Sequence, residues 1–148
     1  SMDHVEACRQ ALKDGTADAI VTDHAPHAPE EKDVEFRYAP NGFTGLETSL
    51  GVILTELYHT GLFTINEIID KMSTAPAHIF ALNAGSLKVG SPADVTVIDL
   101  KKEWTVDNTK FYTRGNVTPF NGKHCKGKAV ATMVAGKFVM RDGVVCGK

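Results

Sequence analysis

The sequence predicts an α/β chain whose first part sets helices around a buried strand and whose last part is mostly β. Three observations carry that expectation. Ala19-Ile20-Val21, bounded by Gly15 on one side and by Pro26 and Pro29 on the other, reads as a short buried strand. Leu46, Leu50, Ile53, Leu54 and Leu57 recur at helical spacing. After Gly85 the texture turns β-branched and turn-rich, with two short strands joined by Ala135-Gly136.

Residues 3–14 form the first predicted helix, with Val5, Cys8, Ala11 and Leu12 as its stripe, Asp3 as its cap and Gly15 as its stop. The strand 18–22 follows and places Asp23 at its C-terminal tip, where barrel and open α/β enzymes carry reactive groups. A helix leading into a strand is half of a βαβ unit. Its missing first strand, after a Ser1-Met2 start that reads as a residue of cloning, predicts a chain cut from something longer. Residues 28–45 are predicted as a long loop, either functional or a solvated excursion, with strong turn chemistry at Ala39-Pro40-Asn41-Gly42. A second helix covers 46–59. A third opens on a Thr64-to-Glu67 capping box with Ile68, Ile69 and Met72 inward, and breaks at Ser73-Thr74-Ala75-Pro76. Pro76 suits the first turn of a fourth helix, 76–82. Residues 93–99 predict a strand, and 129–134 with 137–140 a hairpin. The chain therefore divides into an α/β portion, 1–84, and a small β domain, 85–148.

The 148 residues suffice for one domain with a sizeable core or for two small pieces. A net charge of −2 offers no basic footprint for nucleic acid or an anionic membrane. No apolar stretch approaches the roughly 20 residues of a membrane span. Cys8, Cys125 and Cys146 are odd in number and lack CxxC pairs, which predicts reduced, buried or incidental thiols in a cytoplasmic protein.

Asp23, His24 and His27 cluster just past the predicted strand. A carboxylate there can bind a divalent metal, act as a general base, or do both, and carboxylate and imidazole both suit zinc. One Asp with a neighbouring His is too few ligands for a site, and a strand-tip Asp also serves as a plain loop or helix cap. Spacing leaves those alternatives open. His24 fits packing, or a hydrogen bond that orients a ligand, better than ligation. His4, His59, His78 and His124 are scattered and read as surface or core residues; Arg37 reads as a solvated loop charge and Trp104 as a packing residue.

Thr22-Asp23-His24-Ala25-Pro26-His27 resembles the last active-site motif of dihydroorotases, in the amidohydrolase superfamily. The segment from Ala39 to Thr48, Ala-Pro-Asn-Gly-Phe-Thr-Gly-Leu-Glu-Thr, resembles their substrate loop. Thr74-Ala75-Pro76-Ala77, the stretch from Gly85 to Val95, Asn121-Gly122 and Lys126-Gly127 resemble further shared segments. The resemblance covers nearly the whole chain but only the C-terminal third or so of such an enzyme. It implies the C-terminal fragment of a metal-dependent (β/α)8 barrel followed by part of a small β-sandwich domain. It also implies reversible closure of N-carbamoyl-L-aspartate to dihydroorotate in pyrimidine biosynthesis, with one or two zinc ions in the full-length enzyme. By resemblance, Asp23 binds zinc and shuttles the proton from metal-bound water to the departing amide nitrogen. His27 matches the position that binds the substrate carboxylate, and Asn41 and Gly42 match backbone contacts to the substrate ring.

Three competing readings stand beside this one, one of them a purely structural C-terminal module. Another cyclic amidase, such as an allantoinase or dihydropyrimidinase, would share most motifs; His27 and the Gly42-to-Thr48 segment favour a substrate with a carboxylate handle. A non-catalytic dihydroorotase-like subunit supporting an aspartate transcarbamoylase is disfavoured by the retained Asp23 and His27. The family's His-x-His pair, modified lysine and further His ligands do not occur in this sequence. The expectation is an enzyme as a full-length protein, an isolated chain that is catalytically silent, and either self-association or a remodelled helix packing of residues 3–82, since one or two barrel strands leave apolar faces to cover.

Overall fold

The first helix ends where a glycine lets the backbone turn left. Helix α1 spans Met2–Asp14, and Gly15 follows with φ 86°. Ser1 is the N-cap, so Asp3 lies inside the first turn, where its charge meets the positive end of the helix dipole rather than capping it. The computed structural model describes residues 1–146; Gly147 and Lys148, the end of the predicted β domain, lie outside the described residues.

The expected strand 18–22 does not form. The segment pairs through the Ile20 N–H, which donates to the Lys71 carbonyl at 2.9 Å, and past its end through a single parallel bridge between His24 and Phe43. Val21 is 76% exposed rather than buried. An apolar run marks a strand only where a neighbouring strand offers a ladder, and none lies beside this run among the described residues. The predicted loop 28–45 is in turn not wholly loop. Pro29–Lys32 forms a single helical turn, α2, with Pro29 at its first position and Glu31 accepting the Ala28 N–H at 3.0 Å.

Helix α3, Ser49–Ile53, runs on into a π-helical turn, Leu54–Tyr58. The Thr55 hydroxyl donates to the Gly51 carbonyl at 2.7 Å, competing with the Thr55 N–H for the acceptor four residues back. The helix starts later than the periodicity predicts, and Leu46 sits in the preceding turn, 61% exposed. Helix α4, Ile65–Ile69, opens on the capping box: Thr64 Oγ1 accepts the Glu67 N–H at 3.3 Å and Glu67 Oε2 accepts the Thr64 N–H at 2.7 Å. The expected break before Pro76 is absent. The helix widens into a π turn, Asp70–Thr74, and continues as α5, Ala75–Ile79. Proline lacks an N–H and crowds the carbonyl four residues back; a wider turn just before it accommodates both effects.

Strands β1 (Val95–Thr105), β2 (His124–Val134), β3 (Lys137–Arg141) and β4 (Val144–Val145) form a four-stranded sheet in that order. The β2–β3 hairpin sets Val134 opposite Lys137, with an irregularity between Thr132 and Met133. Ala135 and Gly136 have φ of 48° and 77°, the two positive values a type I′ turn requires. Asp94 Oδ1 and the Ala93 carbonyl accept their N–H groups at 2.7 and 3.0 Å.

The chain forms two units. The first comprises Ser1–Val21, Leu57–Asp99 and the strand region from Ala129 onward, with Leu57, Phe63, Ile68 and Ala77 buried. The second comprises Thr22–Glu56 and Leu100–Lys128, with Leu54, Val106, Cys125, Thr44 and Thr48 buried. In the second, Trp104 donates its Nε1–H to the Gly127 carbonyl at 3.0 Å, and a Cβ on Gly51 would stand 2.5 Å from the indole. Among the described residues no helix is long and apolar enough to cross a membrane.

Candidate functional site

Every residue that the sequence singles out for chemistry lies in the second unit. Asp23 is exposed and has φ 41°, a left-handed conformation that aspartate tolerates better than most residues. Its carboxylate has no hydrogen-bond partner among the described residues. His24, next along, spends its Nδ1 on the backbone: it accepts the N–H groups of Gly45 at 3.2 Å and Leu46 at 3.1 Å. An accepting ring nitrogen is unprotonated, so the neutral ring carries its proton on Nε2. His24 thereby ties the segment after Asp23 to the turn that opens α3, and the Ala25 N–H adds a bond to the Phe43 carbonyl at 3.1 Å.

His27, Asn41 and Gly42 come together. His27 Nε2–H donates to the Asn41 carbonyl at 2.9 Å, and its Nδ1 lies 3.4 Å from Glu31 Oε2. Lys32 Nζ donates to the Pro40 carbonyl at 2.7 Å and to the Gly42 carbonyl at 2.9 Å. Three successive carbonyls are thus held by two side chains. Gly42 has φ 110°, and a Cβ there would stand 2.8 Å from Ala25 Cβ and 2.9 Å from the Ala25 carbonyl oxygen. Only glycine suits both demands. Asp23 shares no direct side-chain contact with this group; the His24–Phe43 bridge links them through the backbone.

A second layer supports the loop. Thr44, fully buried, donates its hydroxyl to the Gly115 carbonyl at 2.7 Å and its N–H to the Val117 carbonyl at 2.8 Å. Glu47 accepts the N–H groups of Tyr112 and Thr113, each at 3.1 Å, and the Thr113 hydroxyl at 2.9 Å. A Cβ on Gly115 would stand 2.8 Å from the His27 carbonyl oxygen, so the 112–117 stretch lies directly against the motif. Phe43 meets the Phe120 ring edge-on at 5.9 Å.

Lys32 and Glu47 were missed by sequence reasoning. Lys32 sits in a charged run, Glu30 to Asp33, that reads as a solvated loop. The available signal was Pro29 with Glu31 two residues later, which marks a helical turn and so aims the next side chains back over the motif. Arg37 pairs with Glu35 at 3.0 Å and covers the Tyr38 ring, as a surface charge does. His4, His59, His78 and His124 are exposed and stand outside this group. Burial pushes the Cys125 thiol up, which keeps it protonated and unreactive.

No three His, Cys, Asp or Glu side chains converge among the described residues. A zinc centre takes three or four protein ligands. The described residues therefore do not make one by themselves, and Asp23 can supply one ligand to such a site.

The sequence model of the amidohydrolase family matches residues 1–139. The chain is 47% identical over 142 residues to a dihydroorotase of Syntrophus aciditrophicus and 50% identical over 139 residues to a dihydroorotase of Geobacter metallireducens. Those matches cover 96% and 94% of this chain but 33% and 32% of the relatives, so the chain spans about a third of their length. Among solved structures it is similar to the L-hydantoinase (dihydropyrimidinase) of Arthrobacter aurescens, with TM-score 0.90 and 33% identity, over 95% of this chain and 32% of that one. It is also similar to a D-hydantoinase (dihydropyrimidinase) of a Thermus species, with TM-score 0.89 and 29% identity, over 97% of this chain and 32% of that one.

Proposed function

The chain belongs to the amidohydrolase family, and from that premise we propose that it is the C-terminal part of a dihydroorotase, interconverting N-carbamoyl-L-aspartate and dihydroorotate in pyrimidine biosynthesis in the cytoplasm. The observation that carries this reading is an exposed, unpartnered Asp23 carboxylate joined through backbone pairing to a glycine-tight loop, in a sequence about half identical to proteins named dihydroorotase. The proposal includes a (β/α)8 barrel and small β domain in the full-length protein, with 1–84 and 85–148 as their shares. It includes self-association of the isolated chain, and its catalytic silence. An aspartate transcarbamoylase partner belongs only to the alternative in which the full-length protein is not catalytic.

In this reading Asp23 is both a zinc ligand and the group that moves the proton. One or two zinc ions, when bound with ligands from outside this chain, would acidify water and polarise the scissile carbonyl. The chain's own contributions are separable from that. Asp23, exposed and uncommitted, is free to take a proton and release it to the departing amide nitrogen. The N–H groups of Asn41 and Gly42 have no partner among the described residues, and they are suited to the oxygen of a substrate ring. His27 is the candidate for the substrate carboxylate, with charge-assisted hydrogen bonding as the source of affinity. Its Nε2–H donates to Asn41 and its Nδ1 faces Glu31, so a substrate carboxylate that takes the Nε2–H displaces the Asn41 carbonyl.

Hydantoinases and dihydropyrimidinases remain the second reading, because the structural neighbours carry those names. Two measurements on the full-length zinc enzyme test the first. Dihydroorotate should be turned over in preference to hydantoin and dihydrouracil, and the reverse preference would refute the substrate assignment. Asp23→Ala should lower kcat by about 10³-fold or more with the circular dichroism spectrum and melting profile retained. Activity within about tenfold of wild type would remove Asp23 from the chemistry.

A further inference from the structure

We propose that Lys32 is a positioning residue that holds the Pro40–Gly42 loop while His27 is drawn to substrate; this rests on the reading of His27 and the Asn41–Gly42 amides given above. Lys32 Nζ spans the loop, bonded to the carbonyl before Asn41 and to the carbonyl of Gly42. His27 holds the carbonyl between them. No peptide bond among the described residues is cis, so in each of these peptides the N–H points away from its carbonyl. Each gripped carbonyl, of Pro40 and of Asn41, therefore turns the N–H of its own peptide, of Asn41 and of Gly42, away from the side chain that holds it. Neither N–H has a protein partner among the described residues.

The two grips are not equivalent. His27 cannot donate the same Nε2–H to Asn41 and to a substrate carboxylate. Once it moves to substrate, the loop loses its central tether at the moment when its amides must be aligned. An ammonium has three donors, and Lys32 uses two of them on carbonyls that no substrate competes for. Its side chain is part-buried, which strengthens both bonds relative to a solvated lysine. Lys32 therefore keeps the amides aimed through the exchange and sets ground-state affinity rather than chemistry.

The test is made in the full-length zinc enzyme. Lys32→Met should raise KM for dihydroorotate about tenfold, leave kcat within about twofold, and leave zinc content unchanged. Lys32→Arg, which can reach both carbonyls, should restore KM to within about threefold of wild type. Lys32→Gln, keeping one donor pair, replaces Lys32→Met on the same scale if the latter does not fold. An unchanged KM, or a fall in kcat and zinc content together, overturns the proposal. Amide exchange at Ala25, whose N–H donates to the Phe43 carbonyl beside the gripped loop, reads the grip without substrate. It should rise in Lys32→Met, and no rise counts against Lys32 whatever the enzyme acts on. A wild-type enzyme inactive on dihydroorotate, with exchange that does rise, overturns the substrate assignment while supporting the grip.

Discussion

Two turns of this chain are built by opposite means. At Ala135-Gly136 the backbone does the work: both residues have positive φ, the flanking strands pair directly, and neighbouring Ala93 and Asp94 take up the turn's N–H groups. At Pro40-Asn41-Gly42 the backbone is held from outside, by Lys32 and His27 on three carbonyls and by Ala25 packed against Gly42. The first turn closes a hairpin and needs only local chemistry. The second presents free amides, and a loop that must leave its own N–H groups unsatisfied has to be fixed by something else. The difference separates a turn that serves the fold from one that, in the proposed function, serves a ligand.

Gly42→Ala should have the largest effect. A Cβ there meets Ala25 Cβ at 2.8 Å and the Ala25 carbonyl oxygen at 2.9 Å, on a backbone with φ 110°. Overpacking and backbone strain add, for a loss of about 2–4 kcal/mol. Either the loop or Ala25 must shift to relieve this. Denaturant unfolding should show the destabilisation, and a loss under about 0.5 kcal/mol would mean that the loop is not clamped as described.

The hairpin turn should respond the other way. Ala135 adopts φ 48° without the side chain that favours it, and Asn followed by Gly is the preferred type I′ pair. Ala135→Asn should therefore stabilise by about 0.5–1 kcal/mol, since the N–H that Asp94 accepts is on the backbone and is retained. A destabilisation on melting would show that this turn, too, depends on more than its own dihedral angles.

What was legible follows the same division. The hairpin, the Thr64–Glu67 cap and the Gly15 stop are set by residues adjacent in sequence, and each forms where expected. The strand 18–22 was misread because burial of an apolar run depends on neighbours that the local sequence does not specify. The break at Pro76 was misread because a π turn relieves the clash that proline would cause in a regular α-helix. Within the candidate site, Asp23, His27, Asn41 and Gly42 were singled out through their motifs. Lys32, Glu47 and the acceptor role of His24 were not, because each acts on backbone 8 to 66 residues away. Side-chain grips on distant carbonyls and amides leave no periodicity to read.

The helix cap at residues 64–67 combines both constructions, and pH separates the charged contribution from the neutral one. Glu67 accepts locally from the Thr64 N–H at 2.7 Å and the Thr64 hydroxyl at 2.8 Å, and non-locally from Lys13 Nζ at 2.6 Å. Lys13 first, then Thr64, hold the Glu67 carboxyl at about 2, below its ordinary 4.5. A carboxyl depressed on folding stabilises the native state above its ordinary value, and that contribution fades as pH falls from about 4.5 to about 2. The melting temperature of wild type should exceed that of Glu67→Gln above this window and converge with it toward its lower end. Lys13→Met should narrow the window from its acid side, leaving the part that Thr64 supplies. A gap between wild type and Glu67→Gln that does not change with pH would mean that the carboxylate's charge contributes nothing, and that the cap rests on neutral hydrogen bonding alone.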